Sequence, residues 1–269
     1  MAPDSVVLDV KDVRQKLGGK QILDGVTFQV HDRVRPGTTT GQVTGLLGPS
    51  GVGKTRLLRL IAGLDAPDQG EILGPEGTPM PVGSVGVVFQ NYILLRHRTV
   101  LGNLLAAGTA NGMPRREAEE QARALLSRFG LADRADYYPA QLSGGQRQRA
   151  AIAQQLVKQK LFLVLDEPFS GLDSAALENV IELFSRIAHN HEDQTLIIIT
   201  HDIRAAMMVS DTLLLLGRDH DTSGKIASGA RIQEQIDLVA EGLAWREHVE
   251  LDPKFVALER SVKARFARL

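Results

Sequence analysis

The sequence contains no cysteine, so disulfides, thiolate metal sites and a cysteine nucleophile are all excluded. It has no excess of either charge. With 31 Lys+Arg against 32 Asp+Glu the formal charge is -1, so no global basic field is available to hold nucleic acid or anionic lipid. It also lacks any apolar run of the roughly 18 residues that a membrane helix requires. Runs such as 161–165, 196–199 and 213–216 are far shorter. The opening MAPDSVVLDV has no basic segment followed by an apolar one, so no secretory leader is expected. These absences lead to the expectation of a cytosolic chain. What is present is an ordinary globular composition: 269 residues, 43% hydrophobic and 23% charged, enough to bury a substantial core.

Short Val/Ile/Leu runs followed by Gly-rich or acidic turns and then helical stretches recur along the chain. They predict an α/β domain with a mainly parallel, buried sheet. Strands are expected at 6–13, 42–47, 85–89, 161–166, 195–200 and 212–216, and a helix at 54–62. Between 91 and 158 the pattern changes to helices at 103–108, 114–129 and 145–158 with no strand signal, the mark of a helical insert. The domain is expected to span 1–229, followed by a helical extension over 230–269 with helices at 231–245 and 253–269. In the second of these, Asp252 caps the start, and Phe255, Leu258, Val262, Phe266 and Leu269 share one stripe that should pack on the domain.

Gly48, Pro49, Ser50, Gly51, Val52, Gly53, Lys54 and Thr55 fit the phosphate-loop pattern G-x-x-x-x-G-K-[ST] at every fixed position, between an expected strand and an expected helix. The glycines let successive backbone N–H groups converge on phosphate oxygens, and the helix N-terminus adds partial positive charge. Lys54 would reach the β and γ phosphates, and the Thr55 hydroxyl would ligate Mg²⁺. The loop alone does not separate an ATPase from a GTPase or a kinase.

Residues 161–165 form an apolar strand that ends in Asp166 and Glu167. Side chains alternate along a strand, so the two carboxylates can take separate tasks. Asp166 would hold Mg²⁺ through its water shell, and Glu167 would polarise an attacking water as general base. Acids at strand ends are also common turn residues, and the phosphate loop is what favours the catalytic reading. Further on, Leu142-Ser-Gly-Gly-Gln146 opens a helix in which Ser143 and Gln146 fit a capping box. The box leaves the two glycines, Gly144 and Gly145, unexplained unless that helix mouth also faces an anion.

With these motifs in this order the sequence resembles the ATP-binding subunits of ABC transporters, over about 6–229 and with the LSGGQ signature intact. The resemblance implies a P-loop NTPase core with an N-terminal antiparallel β subdomain and an inserted helical subdomain at about 91–158. It implies ATP and Mg²⁺ as ligands and a head-to-tail dimer in which each ATP lies between one subunit's phosphate loop and the other's signature. Ser143, Gly144, Gly145 and Gln146 are thereby assigned to the partner's nucleotide, and Gln90 to Mg²⁺ and the membrane subunit. His201 is assigned as the switch histidine at the γ-phosphate, and Asp173 as the link between the two sites. Taken alone, Gln90 and His201 are weak signals, because a single His after a strand is most often a surface or capping residue.

Two positions depart from the family pattern. Leu17 stands where an aromatic residue usually stacks on adenine. Arg56, within the expected nucleotide-binding stretch, replaces a second hydroxyl residue that can touch the α-phosphate. Residues 31–40 read as an extension between two N-terminal strands. The expected function is the ATP-hydrolysing subunit of a transporter, with import expected and the nitrate, sulfonate and taurine group as the expected subgroup. It would sit peripherally on the cytoplasmic face of the inner membrane, as a homodimer with transmembrane permease subunits and a substrate-binding protein, and without nucleic acid. The alternative is a soluble ABC-type ATPase of DNA repair or translation. Such relatives generally carry coiled-coil inserts or two fused cassettes, neither of which this sequence shows.

Overall fold

The computed structural model describes residues 5–32, 42–81, 83–110, 112–157, 162–172, 174–190, 195–220, 226–246 and 248–269. Strands β1 (Val6–Leu17) and β2 (Lys20–His31) form an antiparallel ribbon, and β4 (Gln69–Leu73) pairs antiparallel with the outer side of β1. The parallel core consists of β3 (Val43–Leu47), β5 (Val85–Val88), β6 (Phe162–Asp166), β7 (Thr195–Thr200) and β8 (Thr212–His220). A last strand, β9 (Ile226–Asp237), runs antiparallel to β8 and touches β2 in parallel register at Leu23 and Ala230. Among the described residues this makes one sheet in the order β4-β1-β2-β9-β8-β3-β7-β6-β5.

The core strands read as continuous apolar runs because both faces are covered. Leu163 and Leu165 pack with Leu104, Leu126, Ile152 and Phe184 on one face. Phe162 and Val164 point the other way, toward Leu57 and Ile61 of α1 (Lys54–Ile61) and the N-terminal strands. The helical insert falls between β5 and β6 as expected, with α2 (Val100–Thr109), α3 (Arg115–Arg128) and α4 (Gly144–Leu156). Then come α5 (Ser174–Asn190), α6 (Ile203–Val209) and α7 (Pro253–Phe266). Phe255 and Val262 of α7 are fully buried against Met207, Leu213 and Leu215, with Leu258, Phe266 and Leu269 around them, so the expected stripe does face the domain. Burying each such side chain stabilises by about 1.5–3 kcal/mol.

The helix expected at 231–245 is not there. Its first half belongs to β9, and the rest is turns, so residue 229 lies within a strand rather than before a helical extension. Ile232 and Ile236 are four residues apart, the spacing of one helix face, but a register shift in β9 pairs them with Leu216 and Leu213 and sends them to opposite faces of the sheet. The neighbours settle the choice: β8 offers an unpaired antiparallel edge, and Ala230, Ile236 and Leu238 all become buried beside it. The expected extension at 31–40 lies largely outside the described residues, and among those described no helix is long and apolar enough to cross a membrane.

Candidate functional site

The phosphate loop sits between β3 and α1, at the carboxyl end of the parallel sheet. Its glycines are sterically required. A Cβ on Gly48 would lie 2.6 Å from the Leu216 carbonyl oxygen, and Gly53 precedes α1 with φ 122, a conformation closed to other residues. No side chain caps α1, so its first N–H groups are left to face an anion. Lys54 turns its ammonium back into the loop, donating to the carbonyls of Gly48 at 2.7 Å and Pro49 at 3.2 Å. Burial pushes its pKa down, against the upward pull of Glu167 and Asp166.

Next to the loop, Thr55 Oγ1 donates to Asp166 Oδ2 at 3.3 Å. The Asp166 carboxyl is buried at the end of β6, and that burial raises its pKa above the ordinary 3.8. Glu167 has φ 50, a left-handed backbone that a non-glycine residue adopts only when its surroundings enforce it. The enforcement is visible: its N–H donates to the Ile199 carbonyl at 2.7 Å, and its carboxylate is gripped on both sides. Oε1 lies 3.7 Å from Lys54 Nζ, while Oε2 accepts from Thr200 Oγ1 at 3.1 Å and lies 2.9 Å from His201 Nδ1.

The structure therefore brings Lys54, Thr55, Asp166, Glu167 and His201 together. The side chains of Gln90, Arg56, Ser143 and Gln146 make their described bonds to other residues. Gln90 is exposed and donates to Ser170 Oγ at 3.3 Å. The Arg56 guanidinium is engaged by Asp65, at 2.9 Å. Ser143 and Gln146 form the capping box at the head of α4: the Ser143 N–H donates to Gln146 Oε1 at 3.0 Å, and Ser143 Oγ accepts from the Gln146 N–H at 3.3 Å. Within 4 Å of where a Cβ would stand on Gly144 or Gly145 there is nothing, so no internal packing requires these glycines. No described hydrogen bond or ion pair joins 143–146 to the phosphate loop. Leu17 is exposed at the end of β1. Asp173 lies outside the described residues.

Two residues at the site carry no motif signal. Thr200 is fully buried; its hydroxyl accepts from the Asp202 N–H at 3.1 Å and so directs its own proton to Glu167. A polar residue closing the apolar run of β7 was the available clue. Arg218 donates from Nη2 to the Gly51 carbonyl at 3.2 Å, a contact made by β8 running on past Leu216, and nothing local announces it.

Oxygen donors of this kind suit Mg²⁺, which is usually held by one or two carboxylates with waters and substrate phosphates. Thr55 and Asp166 supply a hydroxyl and a carboxylate side by side, and among the described residues no cluster of three His, Cys, Asp or Glu competes for a metal. Fold and site together define a P-loop nucleotide-binding protein. The family model for ABC transporters matches residues 32–170. The sulfate/thiosulfate import ATP-binding protein of Pectobacterium atrosepticum is 36% identical over 219 residues, 78% of this chain and 64% of that one. The methionine import ATP-binding protein of Rhizobium meliloti is 33% identical over 268 residues, 90% of this chain and 73% of that one. Among solved structures, cbiO1 of Clostridium perfringens, part of the cbiONQ complex, superposes with a TM-score of 0.74 at 25% identity, covering 98% of this chain and 97% of its own. A dimeric ATP-binding cassette in a post-hydrolysis state with ADP and Pi gives 0.67 at 25% identity, covering 86% and 98%. The chain belongs to the ABC transporter family. It spans 58% to 64% of the length of four sulfate/thiosulfate relatives that it matches.

Proposed function

We propose that this chain is the ATP-hydrolysing subunit of an importer, working as a head-to-tail dimer on separate permease subunits at the cytoplasmic face of the inner membrane. The observation that carries the reading is the grip on Glu167, whose carboxylate is fixed between Lys54 and Thr200/His201 at the mouth of a phosphate loop. Lys54 binds and neutralises phosphate oxygens, and the N–H groups of the loop orient them. Glu167 takes the proton of the attacking water at its carboxylate, while Thr200 and His201 hold that carboxylate in place. Thr55 and Asp166, with Gln90, would hold Mg²⁺, which would neutralise phosphate charge when bound. The exposed N-terminus of α4, with its two unencumbered glycines, is the surface offered to the partner's nucleotide through Ser143, Gly144, Gly145 and Gln146, and Asp173 would link the two sites.

The relatives named as importers support transport over a role in DNA repair or translation, and a substrate-binding protein is expected beside the permease. Sulfate and thiosulfate in the relatives' names make small oxyanions the first cargoes to try, nitrate, sulfonates and taurine included, with methionine as the contrast. The composite site is tested by mixing Lys54→Ala with Ser143→Arg. Each alone is expected to be inactive, and the mixture to recover hydrolysis, because one of the two sites in a heterodimer retains an intact loop and an intact signature. A mixture as inactive as its parts overturns the shared-site reading. Capture of ribosomes or DNA in place of a polytopic membrane protein overturns transport.

A further inference from the structure

β8 runs directly against the phosphate loop, whose Gly48 leaves no room for a Cβ over the Leu216 carbonyl. Two residues on, Arg218 reaches the loop's turn at the Gly51 carbonyl. Among the described residues no carboxylate pairs with Arg218, and its Nε is shielded without an acceptor; the adjacent Asp219 is taken by Arg231 at 2.9 Å. A positive charge with no carboxylate partner among the described residues therefore stands beside a loop suited to phosphate.

The backbone of the same residue meets Leu269, three residues past the end of α7. The Arg218 N–H donates to the Leu269 carbonyl at 3.2 Å, and Leu269 Cδ2 sits 2.6 Å from where a Cβ on Gly217 would be. α7 is itself fastened to α6 by Arg204 and the buried Glu259 at 3.2 Å. The end of β8 is thus held between the loop and Leu269, which closely follows α7.

In a planar trans peptide the C=O and the following N–H point in opposite directions. Holding the Gly51 carbonyl on Arg218 therefore turns the Val52 N–H toward the loop interior, where it donates to the Pro49 carbonyl at 3.3 Å and where a phosphate oxygen would compete for it. Gly51, at φ 76, has no side chain to fix this orientation.

We propose that Arg218 is a positioning residue for nucleotide binding: through Gly51 it presets the phosphate loop and adds a positive charge beyond that of Lys54, and α7 braces it through Leu269. This rests on the reading of residues 48–55 as a nucleotide loop and names a contributor outside the family motifs. The test uses the full chain with Mg²⁺ and a fluorescent N-methylanthraniloyl ADP, alongside steady-state ATP hydrolysis and thermal midpoints without nucleotide. Arg218→Met is expected to weaken the ADP analogue and raise KM by about five- to tenfold, with kcat changed less than about twofold. Arg218→Lys recovers part of that loss, and Leu269→Ala moves affinity the same way by less. Unchanged affinity in Arg218→Met overturns the proposal. So does a loss that Arg218→Lys leaves unrelieved and that follows a fallen midpoint, which would mark a purely structural arginine. If the unmodified chain binds no analogue, the nucleotide-loop reading itself fails and takes the proposal with it, an outcome distinct from failure in the variant alone.

Discussion

The Lys54 ammonium and the Glu167 carboxylate face each other at 3.7 Å, each with most of its side chain buried. Burial disfavours the Lys54 charge, and Glu167 offsets part of that penalty. Phosphate oxygens would compete with Glu167 for Lys54 and free one side of the carboxylate for water.

Glu167→Gln keeps the shape and removes the base. At saturating ATP the hydrolysis rate should fall by about 100-fold or more while ATP is still bound, and the dimer should persist on a sizing column in ATP. Undiminished turnover in a phosphate-release assay overturns the general-base assignment.

Thr200→Val removes the hydroxyl that donates to Glu167 while keeping the β-branched shape in β7. We expect kcat to drop about tenfold with little change in KM, in line with the loss of a hydrogen bond to a charged group. Thr200→Ser should restore much of it. Equal losses in the Val and Ser variants would point to packing instead.

Asp166 binds a proton more readily in the folded protein than its ordinary 3.8, because it is buried. Its contribution to stability is therefore complete below the unfolded value and is lost as pH rises through the raised folded one. Asp166→Asn is expected to match the unmodified chain near pH 3.5. It should gain on that chain as pH rises and hold a midpoint about 2–4 °C higher at pH 7 for each kcal/mol of relieved burial. A gain that is largest in acid would contradict the sign. Mg²⁺-dependent hydrolysis in the same variant should be lost.

Leu17→Tyr introduces a ring where the family usually stacks one on adenine. Base stacking on aromatic side chains contributes about 1–3 kcal/mol, so ATP should bind at least about fivefold tighter. The measurement is competition of ATP and GTP against a fluorescent nucleotide. No change for either would show that the exposed end of β1 does not cover the base.

Much of this molecule is legible in its sequence, and the failures have physical causes. Phosphate loop, strand-end carboxylates and helical insert were all readable because each depends on residues adjacent in the chain: glycines at a turn, an apolar run ending in acids, helix start and stop residues. β9 was not readable, because the four-residue spacing of Ile232 and Ile236 reads as a helix face, while the bulge that parts them and the deciding partner, β8, are met only in space. Arg218 and Thr200 were missed for the same reason: their hydrogen bonds cross 167 and 33 residues of chain. Arg56 lies in the motif stretch, yet its side chain goes to Asp65, an outcome that spacing alone does not decide.

β9 also sets a schedule. β1 and β2 are made first, yet the neighbour of β2 on its inner side is β9, joined at Leu23 and Ala230, and β9 can take its place only on β8. During synthesis the N-terminal ribbon must therefore wait, one edge open, until more than 200 residues have followed it. In that interval the open edge of β2 is exposed to foreign strands. The polar residues spread along it, Gln21, Asp24, Thr27 and Gln29, are what such an edge needs to stay soluble until its own partner arrives.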